Sequence, residues 1–240
     1  MRKTISLISC LLLIIIFSCK NDNDDGESLI SSDFLFQYST KNRFMNKEYI
    51  GEVTYDELKS YGDFGLGTFN EINGEMICLD GVFYRIDASG RVENANLNEK
   101  SPYAVLKFFK TDQKTKFNGY KSLESIKSEI SNFISDTSRP IAIKIFGKFR
   151  YVKTRSVHKQ KPPYQSLDQI VKNQVISEYH NSTGTLVGFW FPEYFEGVNF
   201  SQFHFHFITK DKSGGGHLLD CEAEDIIIEL DYPVEIIVKI

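Results

Sequence analysis

Hydrophobic and polar positions alternate most strictly at residues 203–207, where Phe203, Phe205 and Phe207 are interleaved with His204 and His206. A period of two is that of a β-strand, so the phenylalanines take one face and the histidines the other. The Phe face reads as core. Apolar runs predict further strands over 34–39, 103–109, 175–180, 185–191, 217–221, 225–230 and 234–240. Pro140 opens a long apolar strand over 141–157, bent at Gly147. A helical period puts Leu123, Ile126, Ile130, Phe133 and Ile134 on one face and predicts an amphipathic helix over 122–135. Thr54 and Glu57 form a capping-box pattern ahead of a short helix at 54–61, and another short helix starts at Ser166. Asn73-Gly74, Asp80-Gly81 and Ser89-Gly90 are turn signals of a meander, the first of them for a type I′ hairpin. Asn181–Gly184 (NSTG) reads as a further turn. No repeat is evident. Strands dominate, with two or three helices, so the class is α+β with mixed or antiparallel sheets.

The histidine face carries the first candidate chemistry. His204 and His206, at i and i+2, stand roughly 7 Å apart along a strand, so their rings can converge on one ion. A Gly-rich turn follows, then His217. A hairpin folded between Asp211 and Lys212 puts His217 opposite His206 on the same face, with Cβ atoms about 5 Å apart. Three neutral imidazoles with an open position are the ligand set of a catalytic zinc or a similar divalent metal. The plain alternative is a pair of strand histidines beside an unrelated third. Three of the chain's five histidines on one hairpin face favour the metal.

Other motifs are weaker. Residues 62–69 (GDFGLGTF) look like a phosphate loop, but no Lys-Ser/Thr closes the motif and a strand follows in place of a helix. A tight turn into a closely packed strand is the better reading. Glu75 lies just past a turn, where its side chain can reach a cleft; from pattern alone it is a solvated hairpin glutamate. Tyr151, Lys153 and Arg155 share a strand face. An arginine there can clamp a carboxylate with its fork of donors or lie on the surface. His158 and His180 have no partner in the sequence and read as structural.

Composition changes the picture mainly at the N-terminus. The chain has 240 residues, 41% of them hydrophobic and 14% aromatic. Arg2 and Lys3 precede an apolar stretch at 5–17 that is too short to span a bilayer comfortably, so residues 1–18 read as a signal peptide. The stretch ends at Ser18-Cys19 in a pattern similar to a bacterial lipobox, which makes Cys19 the expected lipid anchor. Residues 19–33 are an acidic tether, and 34–240 form the folded domain. The expected location is therefore outside the cytoplasm, on a membrane. Losing Arg2 and Lys3 takes the formal charge from −4 to −6, and an acidic chain without a Lys/Arg run argues against nucleic acid. Cys78 and Cys221 can pair outside the cytoplasm, but nothing in their spacing demands it.

Four segments together resemble the α-acetolactate decarboxylase family: GDFGLGTFNEINGEMICLDG, VKTRSVHKQKPPY, GTLVGFWFPEY and GVNFSQFHFHFITKDKSGGGHLLD. They occur in the family's order and spacing, and the likeness covers most of residues 49–220. The resemblance implies metal ligands at His204, His206 and His217, a catalytic glutamate at Glu75 within GEM, and a substrate-binding arginine at Arg155 within VKTR. It implies a two-subdomain fold, often dimeric, with zinc in the cleft between subdomains. The implied reaction is decarboxylation of 2-acetolactate, a 2-hydroxy-3-keto acid, to acetoin, with no organic cofactor. In one respect the chain departs from the family pattern. Members carry a C-terminal tail whose glutamate reaches the metal, and no position up to Ile240 matches it; spacing nominates none of Glu222, Glu224, Glu229 and Glu235. Two rival readings follow: a surface lipoprotein that keeps the fold and metal but only binds a ligand, and a cupin-type metalloenzyme. The cupin motif expects an acidic ligand where Thr209 and Lys210 stand.

Overall fold

In the computed structural model, which describes residues 33–134 and 136–240, the alternating strands assemble into two main sheets. The signal peptide, the Cys19 anchor and all of the tether except Asp33 lie outside the described residues. Residues 33–240 fall in one compact unit.

The first sheet has seven strands, running in spatial order Glu235–Lys239, Phe34–Tyr38, Tyr103–Lys107, Phe64–Thr68, Glu75–Leu79, Val82–Ile86 and Val92–Asn94. Its one parallel pair joins Phe34–Tyr38 to Glu235–Lys239, and its other pairs are antiparallel. The second sheet is built on three long strands, Ile141–Ser156, Val175–Phe191 and Gly215–Asp231, with the shorter Gln202–Thr209. Gly215–Asp231 pairs with both Ile141–Ser156 and Gln202–Thr209, and Val175–Phe191 joins those two on their other edges, so the four strands close on one another.

Three apolar layers hold these sheets. Leu66, Ile77 and Val105 of the first sheet pack with Val187, Phe189 and Ile208 of the second, so the two units that the family resemblance anticipates share one layer. The helix Leu123–Phe133 lays Leu123, Ile126 and Ile130 on the second sheet, among Ile143, Ile145, Phe205 and Phe207. The helix Tyr55–Leu58, closed by the Thr54/Glu57 capping box, covers the outer face of the first sheet. The Phe205 and Phe207 face is therefore core, as the alternation predicts. Gly188 makes room for it: a Cβ there would lie 2.1 Å from the Phe205 ring.

Several local expectations are corrected. Asn73 has φ −83°, so Asn73-Gly74 is not a type I′ turn. Glu71 and Ile72 take the positive φ values instead, because that loop is tied elsewhere: the Glu71 N–H donates to Tyr49 O at 2.7 Å, and the Gln160 N–H donates to Glu71 O at 2.7 Å. Asp80-Gly81 does have both φ positive, between the paired Leu79 and Val82. NSTG is not a turn either. Val175–Phe191 runs through it as one strand, with Asn181 in the left-handed region between the paired His180 and Ser182. Likewise 217–221 and 225–230 are parts of the single strand Gly215–Asp231. Cys78 and Cys221 are both buried and free.

Candidate active site

Strand parity assembles one wall of a cavity from the second sheet. His206 pairs with His217 in register, as a hairpin folded at Asp211-Lys212 predicts, and directly opposed residues share a face. On the far side of His217 its partner is Arg155. A register shift between Lys153 and Thr154 sets up that pairing, which simple alternation would miss. The three imidazoles converge, with ring centroids 4.9–5.3 Å apart and one ring nitrogen from each within 4.8 Å of the others.

The first sheet supplies the opposite wall. Tyr103 pairs with Thr68, and Thr68 pairs with Glu75, so the three form a row across adjacent strands. Between the walls lies a cavity of about 330 Å³, lined by Glu75, Arg155, the three histidines, Thr68, Tyr103 and several apolar side chains. The solvated-hairpin reading of Glu75 is overturned, since the residue is 7% exposed. The second sheet packs over its strand and removes it from water. Arg155, for which a surface position was an open reading, lines the same cavity. His158 and His180 are exposed and outside it.

Hydrogen bonds orient the histidines. The Met76 carbonyl can only accept, so His206 donates to it from Nδ1 at 2.9 Å and keeps its Nε2 lone pair for the cavity. That Nε2 is 3.5 Å from Glu75 Oε2. His204 Nε2 and His217 Nδ1 are 3.2 Å apart. Two nitrogens bound tetrahedrally to one ion at about 2.05 Å stand about 3.3 Å apart, so this spacing fits a shared cation. Burial, then the neighbouring His206 and Arg155, hold His204 well below the usual imidazole range. Burial also brings His206 down to about 3, and burial with Arg155 lowers His217. All three are therefore neutral lone-pair donors, the form a metal requires. The residues present fit a divalent ion with three imidazole ligands.

Glu75 responds to the same burial in the opposite sense. Desolvation raises its carboxyl to about 7, against the opposing pull of the Arg155 cation. Near neutrality such a carboxyl can both hold and release a proton. Sequence reasoning did not single out Tyr103, Thr68, Phe44 or Phe200 as cavity residues. Thr68 and Tyr103 lie on strands that look like any other apolar strand, Phe44 lies on the short helix Lys41–Met45 and Phe200 in a loop, and only the packing of distant segments brings them together here.

Comparison with known proteins agrees with this geometry. The family model described as alpha-acetolactate decarboxylase matches residues 35–239. The chain is 37% identical over 198 residues to the alpha-acetolactate decarboxylase of Bacillus licheniformis, covering 82% of this chain and 78% of that one. Identity to the Methanosarcina mazei alpha-acetolactate decarboxylase is also 37%, over 86% of this chain and 74% of its relative. The crystal structure of the Bacillus subtilis alpha-acetolactate decarboxylase superposes with a TM-score of 0.84 at 33% identity, over 86% of this chain and 88% of that one. With a family match across nearly all of the described residues, and relatives this similar over most of their own length, the chain belongs to the α-acetolactate decarboxylase family of carboxy-lyases.

Proposed function

We propose that the chain is a metal-dependent decarboxylase converting 2-acetolactate to acetoin and carbon dioxide. The observation that carries this reading is the placement of a buried carboxyl, Glu75, 3.5 Å from one of three converging neutral imidazoles, with Arg155 lining the same cavity. A divalent cation held by His204, His206 and His217, zinc on the grounds of an all-imidazole donor set, would supply Lewis acidity at the substrate's hydroxyl and keto oxygens.

The chain's own residues do the rest. Arg155 binds the carboxylate with its planar fork and holds the bond to be broken perpendicular to the plane of the keto group, where its electrons can enter the carbonyl π system. As that C–C bond breaks, its electron pair moves to the keto oxygen and carbon dioxide leaves. Glu75, whose carboxyl burial raises to about 7 before any cation is bound, carries the proton to the carbon that lost the carboxylate, which yields acetoin, and is reprotonated from solvent. Ile72, Val157 and Leu167 supply an apolar surround that keeps bulk water from competing.

The wider setting belongs to the same proposal. The basic residues Arg2 and Lys3, the apolar stretch that follows and Cys19 support export and lipid anchoring at a membrane. The net acidic charge supports a partner set without nucleic acid, and the family resemblance supports a homodimer. Purified protein given racemic 2-acetolactate should form acetoin and carbon dioxide in equal amounts. Consumption of neither enantiomer by metal-replete protein would contradict the reading.

A further inference from the structure

One outward face of the second sheet is basic, although the chain as a whole carries a formal charge of −4. At the edge of that sheet the strand Gln113–Phe117 alternates, so Lys114 and Lys116 point the same way. Lys114 lies opposite Glu229, and Glu229 opposite Lys144. Lys116 lies opposite Ile227, and Ile227 opposite Phe146. Lys148, two residues past Phe146, lies opposite Thr183, and the Thr183 carbonyl accepts from the Lys210 N–H at 2.8 Å. Opposed residues share a face, so the lysines surround Phe146. Lys116, Lys148 and Lys210 line one shallow depression with it.

Two of these cations are neutralised, since Lys114 and Lys144 pair with Glu229 at 2.9 and 3.1 Å. Lys116, Lys148 and Lys210 are exposed and have no ion-pair partner among the described residues. The carboxylates near them are Asp225, which accepts from the Gly119 N–H at 3.2 Å, and Asp80 at the margin. Phe146 is 40% exposed in the middle. Unpaired lysines around an exposed aromatic ring are complementary to a bilayer with anionic headgroups, which takes the charges at its surface and the ring at its interface.

The folded domain begins beside this face. Asp33 pairs with Lys107, and Lys107 also pairs with Asp231 at 3.2 Å. Asp231 stands two residues along the strand from Glu229, about 7 Å away. Residues 19–33 therefore join the domain at the margin of the lysine face. At no more than about 3.6 Å per residue, they keep Asp33 within roughly 50 Å of a lipid carried on Cys19. At so short a tether, weak contacts are enough to orient the domain.

We propose that this face lies against an anionic bilayer, with Lys116, Lys148 and Lys210 on the headgroups and Phe146 at the interface. The inference goes beyond the decarboxylase reading, and it rests on the lipid-anchor reading for what brings the domain to the surface. The net acidity of the chain and the position of Asp33 favour a bilayer over a soluble polyanion.

Residues 19–240 with Cys19→Ser carry no lipid, so their co-sedimentation with vesicles reports on the face alone. Binding is expected to phosphatidylcholine vesicles containing about one-quarter phosphatidylglycerol, not to pure phosphatidylcholine, and should be lost at about 0.5 M NaCl. Lys116→Gln, Lys148→Gln and Lys210→Gln together should weaken binding about 10-fold or more. Their Tm and acetoin formation should not change, because none of the three lines the active-site cavity. Phe146→Ala should weaken binding about threefold at any salt concentration. Failure of the unsubstituted chain to bind, or equal binding by the triple variant, would overturn the assignment. So would tighter binding to heparin than to the vesicles. A change of oligomeric state in the triple variant would make the face a contact between copies and would overturn it too. Mass analysis of the membrane-extracted protein tests Cys19 separately: a chain without lipid would remove the anchor and leave vesicle binding to decide the face.

Discussion

The two walls of the cavity feel the same burial and answer it in opposite ways. On the second-sheet wall, desolvation pushes three imidazoles down, so they are neutral lone-pair donors at any physiological pH. On the first-sheet wall it pushes the Glu75 carboxyl up to about 7, so the carboxyl titrates near neutrality. Arg155 stands at the edge of the histidine wall as the cavity's cation. One physical cause thus leaves one wall with three neutral imidazoles and the other with a carboxyl that titrates near neutrality. The difference also has a structural origin. The histidine wall comes largely from one hairpin and is locally determined, whereas the Glu75 wall is buried only because another sheet covers it.

The largest effect should come from breaking the histidine wall. His204→Ala combined with His206→Ala should remove bound metal, seen by elemental analysis, and lower acetoin formation by about 1,000-fold or more. Retained stoichiometric metal in that variant would mean the ligands lie elsewhere. Glu75→Gln attacks the other wall and keeps its shape. It should lower kcat by roughly 100-fold or more while metal content stays at the wild-type level, so the two walls would separate cleanly. Near-normal turnover in Glu75→Gln would remove the proton role. Arg155→Lys keeps the cation and loses the planar fork; kcat/KM should fall on the order of 100-fold.

The smallest effect concerns stability and needs no substrate. The folded-state pKa of Glu75 is raised above its unfolded value. The folded form therefore binds the proton more tightly. The resulting stability is fully present below about pH 4.5 and is lost as pH rises through about 7. In chelated protein the loss should be on the order of 3 kcal/mol across that window. Urea unfolding should show Glu75→Gln more stable than wild type at pH 8 and little different at pH 5. Equal stability of the two at pH 8 would mean that the carboxyl is better solvated than its burial implies.

The contrast between the walls also governs what the chain reveals before it folds. Period-two alternation, a Gly-rich turn and a third histidine at matching distance are local signals, and the observed His206 to His217 register is the one they predict. Asp80-Gly81 and the Thr54 and Ser166 helix caps are legible for the same reason. Glu75 is not, because its burial comes from strands more than a hundred residues downstream, and pattern alone makes it a solvated hairpin residue. Asn73-Gly74 carries a turn signal that tertiary hydrogen bonds to Tyr49 and Gln160 override. The placement of Arg155 depends on a register shift that no alternation displays. Tyr103 sits on a strand whose five residues are all buried, so nothing in the sequence marks it as a cavity residue. For Glu75 and Arg155 the family motifs, GEM and VKTR, carried what periodicity could not.

The most direct measurement is acetoin formation from 2-acetolactate by one preparation in three states: as purified, after exhaustive chelation, and after return of a single equivalent of zinc per chain. Activity should be present, then lost, then restored, with metal content tracking it and with no recovery when the zinc is returned to the His204→Ala plus His206→Ala variant. Full turnover by chelated protein free of measurable metal would contradict the division of labour between the two walls.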